Sequence, residues 1–124
     1  MTYHVVIHRR AEAGITEAYD WLAERSPEAA ERWLAGVQRA IASLDTLPAR
    51  CPIAPESRLV GSEIRCRLYG RRGGRYRILF VIRGESVHVV DVRHGARRPI
   101  AARDLQLPAD EERDSGALDE PEDE

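Results

Sequence analysis

The stretch from residue 75 to residue 94, R-Y-R-I-L-F-V-I-R-G-E-S-V-H-V-V-D-V-R-H, leaves a chain few ways to fold. Its β-branched and aromatic content suits one strand over 75–83 and a second over 87–93, with Gly84, Glu85 and Ser86 supplying the turn. In the first strand Tyr76, Ile78, Phe80 and Ile82 alternate with Arg75, Arg77, Leu79 and Val81. Successive side chains on a strand point to opposite faces, so Arg77 lies on the face opposite the Tyr76 row. The second strand is apolar on both faces, which fits a strand in the interior of a sheet. An arginine inside an apolar strand, and Arg93 with His94 where the second strand closes, are the features to be explained.

Upstream, residues 3–8 (Y-H-V-V-I-H) form a short β-branched run that reads as a strand. Over 15–25, Ile15, Ala18, Tyr19 and Leu22 recur at i, i+3, i+4 and i+7, the stripe of an amphipathic helix. Ser26-Pro27-Glu28 restarts the helix: serine caps free N–H groups, proline tolerates the first helical position, and glutamate suits the positive helix end. Ala30, Trp33, Leu34, Val37, Ile41 and Leu44 carry an apolar stripe to Leu47, and Pro48 stops it. Helices over 15–25 and 27–47 with almost no linker make a helical hairpin. Trp21 and Trp33 read as core or inter-helix packing rather than a ligand cage. Residues 49–58 form a loop punctuated by Pro52 and Pro55. Residues 63–69 form a strand with Ile64, Cys66 and Leu68 on one face and Arg65, Arg67 and Tyr69 on the other. Gly70-Arg71-Arg72-Gly73-Gly74 is a turn.

The element order β-α-α-β-β-β implies an α+β fold, a helical hairpin packed on one face of a mostly antiparallel four-stranded sheet. Two helices cover only one face of such a sheet. If the apolar row of every strand meets the helices and no bulge intervenes, Arg65, Arg67 and Arg77 emerge together on the uncovered face.

A chain of 124 residues is one domain with room for a real core. We place that domain at residues 1–107 and an acidic, disordered tail at 108–124. From 110 to 124 there are nine acids against Arg113, with no apolar periodicity to order the segment. The chain has no lysine; the remaining eighteen arginines face twelve acids, a net of +6. Between residues 58 and 103 twelve arginines stand against three acids. Such a balance either keeps the fold soluble or provides a surface for a polyanion or acidic partner. The candidate surface comprises Arg65, Arg67, Arg71, Arg72, Arg75, Arg77, Arg97 and Arg98. No run of 18 apolar residues is present, which argues against a membrane span, and no signal peptide is evident, so the expected compartment is the cytoplasm. Cys51 and Cys66 lack metal-site or redox spacing and read as reduced thiols, Cys66 as a small core residue. His4, His8 and His88 carry no metal-ligand spacing, and neither metal nor cofactor is implied.

The element order, the Ser-Pro junction between the helices, the R-Y-R-I-L-F strand and the V-x-V-V-D-V-R-H-G-A-R ending together resemble the RelE/ParE superfamily over residues 2–98. The resemblance implies a toxin of a bacterial type II toxin–antitoxin pair, of the kind labelled plasmid stabilisation proteins, neutralised by a cognate antitoxin encoded next door. It implies two mechanisms. RelE-like members cut messenger RNA in the ribosome without a metal. That chemistry needs a base for the 2′-hydroxyl, cations for the phosphoryl oxygens and an acid for the leaving group. ParE-like members instead bind and inhibit DNA gyrase. Arg77 matches the strand arginine of the RelE pattern, and Arg93 and His94 fall near its last basic position. These three are the catalytic candidates if the protein is a nuclease. Arg65 and Arg67 stand where that pattern has lysines, but arginine stays protonated and makes a poor general base. The C-terminal tyrosine of the pattern has no counterpart here. The H-G-A-R ending is closer to the ParE side, so a gyrase-directed toxin is the preferred reading. The alternatives are a ribosome-dependent mRNA endonuclease and a non-toxic decayed member acting as a binding module.

Overall fold

The computed structural model describes residues 2–71, 74–97 and 99–108. Four strands, β1 (His4–Ile7), β2 (Arg65–Tyr69), β3 (Tyr76–Arg83) and β4 (Ser86–His94), form one sheet in the order β1-β4-β3-β2. Both β2–β3 and β3–β4 are antiparallel, and β1 joins β4 in parallel. β4, apolar on both faces, is interior as expected. Its hairpin with β3 closes through a two-residue turn in which Gly84 takes the left-handed conformation that glycine tolerates. Helices α1 (Arg9–Ala23) and α2 (Pro27–Ala42) pack on one face. A single helical turn, α3 (Ser57–Val60), interrupts the long loop before β2.

The Ser26 cap is present: its hydroxyl accepts from the Ala29 N–H at 3.2 Å, with Pro27 as the first helical residue. α1 begins six residues before the position expected from its apolar stripe. Its cap residue, His8, makes no side-chain hydrogen bond, so no capping signature marks the start. α2 ends at Ala42 and tightens into a 3₁₀ turn, Ser43–Asp45, before the proline. Gly14 and Gly36 let the layers approach closely: a Cβ at Gly14 would run into the Val92 carbonyl oxygen of β4, and one at Gly36 into the Tyr69 hydroxyl of β2.

The sheet carries two cores, not one. Against the helices lie Ile78, Phe80, Val87, Val89 and Val92 with Ala11, Val37, Ile41 and Leu44. On the other face Leu79, Val81, Val90, Ile64 and Cys66 are covered by Ala54 from the loop and by Ile100, Leu105 and Leu107 from the C-terminal segment. The expectation of an uncovered face is therefore corrected. A bulge contributes to it. Register shifts between Leu79 and Phe80, so that Asp91 pairs with Leu79 and Val89 with Phe80, leaving Val90 as the extra residue. That extra residue turns Val92 to the helices and Asp91 and Arg93 to the far face. No helix among the described residues is long and apolar enough to cross a membrane. The acidic tail beyond Pro108 lies outside the described residues.

Candidate functional site

β3 presents Arg77 on the far face, opposite the Tyr76 row, as strand alternation requires. Its guanidinium is not free. Both terminal nitrogens donate to the Glu56 carboxylate at 2.8 Å, and the Ile100 N–H donates to the same carboxylate at 3.2 Å. Glu56 is fully buried and the Arg77 side chain is only 13% exposed. The two hydrogen bonds from Arg77 hold the Glu56 carboxyl below its ordinary range despite burial, and Glu56 raises the Arg77 guanidinium in return. Fork-to-fork pairing of this kind fixes both partners in orientation. It ties β3 to the loop ahead of α3 and to the C-terminal segment.

Arg93 pairs directly across from Arg77 in the β3–β4 ladder, so the structure brings these two candidates together. Arg93 is also committed: it donates to Asp91 at 3.3 Å, and Arg10 of α1 meets the same carboxylate at 3.4 Å. Arg10 reaches it past the end of β1, beyond which β4 has no neighbour on that side. His94 falls on the opposite face, paired with Tyr76 on the helix side. Its Nδ1 accepts from the Ala96 N–H at 3.0 Å and its ring meets Tyr76 edge-on at 5.1 Å. The three nuclease candidates are thus split by the sheet: two arginines locked to carboxylates on one side, the histidine among aromatics on the other.

The expected basic face divides in the same way. Arg65 pairs with Phe80 and Arg67 with Ile78, which places both on the helix side and not beside Arg77. It is the polar row of β2 that turns toward the helices; its apolar row, Cys66 and Leu68, turns away. Arg65 donates to the carbonyls of Ala49 and Cys51 and pairs with Glu63 at 2.9 Å. Arg67 is half-buried. Arg71, Arg75 and Arg97 are exposed, whereas Arg72 and Arg98 lie outside the described residues. Cys51 and Cys66 are buried free thiols. Among the described residues no three His, Cys, Asp or Glu side chains gather as a metal site would need.

What the sequence reading missed is a cavity of about 460 Å³ on the helix side, where α1 and α2 meet the ends of β3 and β4. Trp21, Trp33, Tyr76 and His94 line it, with Glu17 and Arg97. Trp33 and Tyr76 pack edge-to-face at 5.0 Å, and burial, with Glu17 adding, raises the Tyr76 hydroxyl. Trp33 does pack between elements as expected, but Trp21 is 53% exposed and carries the Arg25 guanidinium 3.6 Å over its ring. The signal was present: Trp21 lies off the Ile15, Ala18, Leu22 stripe, so a core role was the wrong inference for it.

Comparison with known proteins places this arrangement among relatives. A family model described as the ParE toxin of type II toxin-antitoxin system, parDE, matches residues 5–99. A solved chain described as the chromosomal ParDE TA system from P. aeruginosa superposes with a TM-score of 0.56 at 15% sequence identity, over 75% of this chain and 96% of that one. The likeness confirms the fold: two helices on a four-stranded, mixed and mostly antiparallel sheet. No curated protein matches the chain.

Proposed function

The chain belongs to the ParE toxin family of type II toxin–antitoxin systems, and from that premise we propose that it inhibits DNA gyrase by protein binding and is neutralised by a cognate antitoxin in the cytoplasm. Residues 1–107 form the toxin unit in this reading. The observation that carries it is the Glu56–Arg77 pair. A nuclease needs that strand arginine free to meet a phosphate, and here both of its terminal nitrogens are held by a buried carboxylate. Arg93 is likewise bound to Asp91, and His94 lies across the sheet from both. These three candidates therefore do not converge on one face, as a base, an acid and a cation must for RNA cleavage by the 2′-hydroxyl.

The antitoxin segment, in this reading, is acidic and amphipathic and lies along the helical hairpin and sheet edge. Charge attraction to the arginine-rich surface speeds the encounter, and apolar anchors hold the complex. The deciding experiment runs two purified systems in parallel. Inhibition of gyrase supercoiling, relieved by the product of the neighbouring gene, is the expected result. Cuts in ribosome-bound message with supercoiling untouched would establish the nuclease alternative instead. Inactivity in both assays and no growth arrest on expression would mean a decayed binding module.

A further inference from the structure

We propose that the acidic C-terminal tail occupies the aromatic cavity of its own chain, with Leu118 as the apolar anchor and Asp119 and Glu120 set against Arg97 and His94. This proposal does not depend on the toxin's target. The cavity is apolar-walled and open to solvent, with two tryptophans and Tyr76 as its surface and Arg97 and His94 among its lining groups. Glu17 lines it too, which disfavours acids on that side and orients an entering segment with its carboxylates toward Arg97. Residues 109–124 carry the complementary chemistry. Within D-S-G-A-L-D-E-P, Leu118 is the single large aliphatic residue, followed at once by two acids. The tail bears nine acids and one arginine against a body of net +6.

Reach and tethering favour this occupant. Leu107 packs on the far-face core, and the described residues end just after it at Pro108. The ten residues from there to Leu118 span up to ~35 Å when extended. A domain of this size has a radius of gyration of about 13 Å, so Leu118 can pass the sheet edge and arrive on the helix side. Covalent linkage over so few residues supplies an effective concentration of order millimolar. A contact too weak to hold a free peptide therefore suffices in cis. The consequence is competition: an acidic partner segment entering the same cavity must first displace the tail.

The chain has only two tryptophans and both line the cavity, so their fluorescence reports its occupancy directly. Acrylamide quenching of the full-length protein is compared with that of Leu118→Ser and of Asp119→Asn/Glu120→Gln. Each is measured at ~10 mM salt, where charges act over ~30 Å, and at ~1 M, where they act over ~3 Å. The proposal expects shielded tryptophans in the natural protein at low salt, and loss of that shielding in both variants and at high salt. Identical quenching of the natural protein and Leu118→Ser at low salt would overturn it. Shielding that disappears on dilution would also overturn it, because the tail would then be binding a second copy.

Discussion

Arg77 shows how far a single residue can be read from its neighbours. Alternation along β3 placed it opposite the Tyr76 row, and that is where it lies. What it meets was not legible, because Glu56 sits 21 residues earlier in a loop without period. Histidines that seemed to carry nothing turn out to be paired: His8 Nε2 and His88 Nδ1 are 2.9 Å apart across β1 and β4. Burial, with His8 and then Arg83 adding, pushes His88 down to about 4, and burial lowers His8 as well. The contact needs one ring nitrogen without a proton, and burial disfavours charge on either ring. The folded-state values lie below the unfolded value of ~6.5, so the unfolded chain binds more protons as pH falls. The contribution of the pair is intact above ~6.5 and declines as pH drops toward 4. Urea unfolding at a series of pH values should show stability falling across that window, and His88→Gln should flatten the slope there. The depressed Glu56 carboxyl acts lower: its stabilisation is lost only as pH falls below its unfolded value near 4.5, so the steeper acid loss should remain in the variant.

At the scale of elements, both helices, all four strands and the interior place of β4 were legible from period and turn chemistry. The errors came from features that periodicity does not encode. α1 starts early without a cap signature, and one extra residue, Val90, reorients the end of β4. The row of β2 that meets the helices is the one with Arg65, Arg67 and Tyr69, because Tyr69 fills the space that Gly36 leaves open. The helix–sheet spacing depends on glycines in the same way. In an isolated helix Gly14→Ala should stabilise by about 1 kcal/mol. Here the added methyl would meet the Val92 carbonyl, a backbone atom in an interior strand that cannot rotate away. Overpacking of this sort costs about 1–3 kcal/mol. Gly14→Ala should therefore lower the urea midpoint. Gly36→Ala meets a tyrosine side-chain end instead, which can swing aside, and should cost less in the same measurement.

For the molecule as a whole, the second core decides what the arginines do. Two helices cannot cover both faces of a four-stranded sheet, so an arginine opposite the helices looked available to a ligand. The segment that carries Ile100, Leu105 and Leu107 folds over that face and turns Arg77 and Glu56 into a buried tie. Neither half of such a tie can be removed alone without cost. Arg77→Ala strands the Glu56 carboxylate, and breaking a buried pair costs about 3–5 kcal/mol, a large part of the stability of a small domain. Lost toxicity in that variant would say nothing about chemistry. Glu56→Gln/Arg77→Met separates the two roles. Glutamine keeps an acceptor for the Ile100 N–H, methionine fills the volume of the arginine stem, and neither leaves a charge buried. Replacing a buried pair in this way is often neutral or stabilising. The double variant should unfold in urea close to the natural protein, while Arg77→Ala unfolds well below it. If the protein acts by binding gyrase, the double variant should still arrest growth and inhibit supercoiling, because the pair serves the fold alone. Loss of toxicity in a double variant of natural stability would return Arg77 to the reaction and with it the nuclease reading.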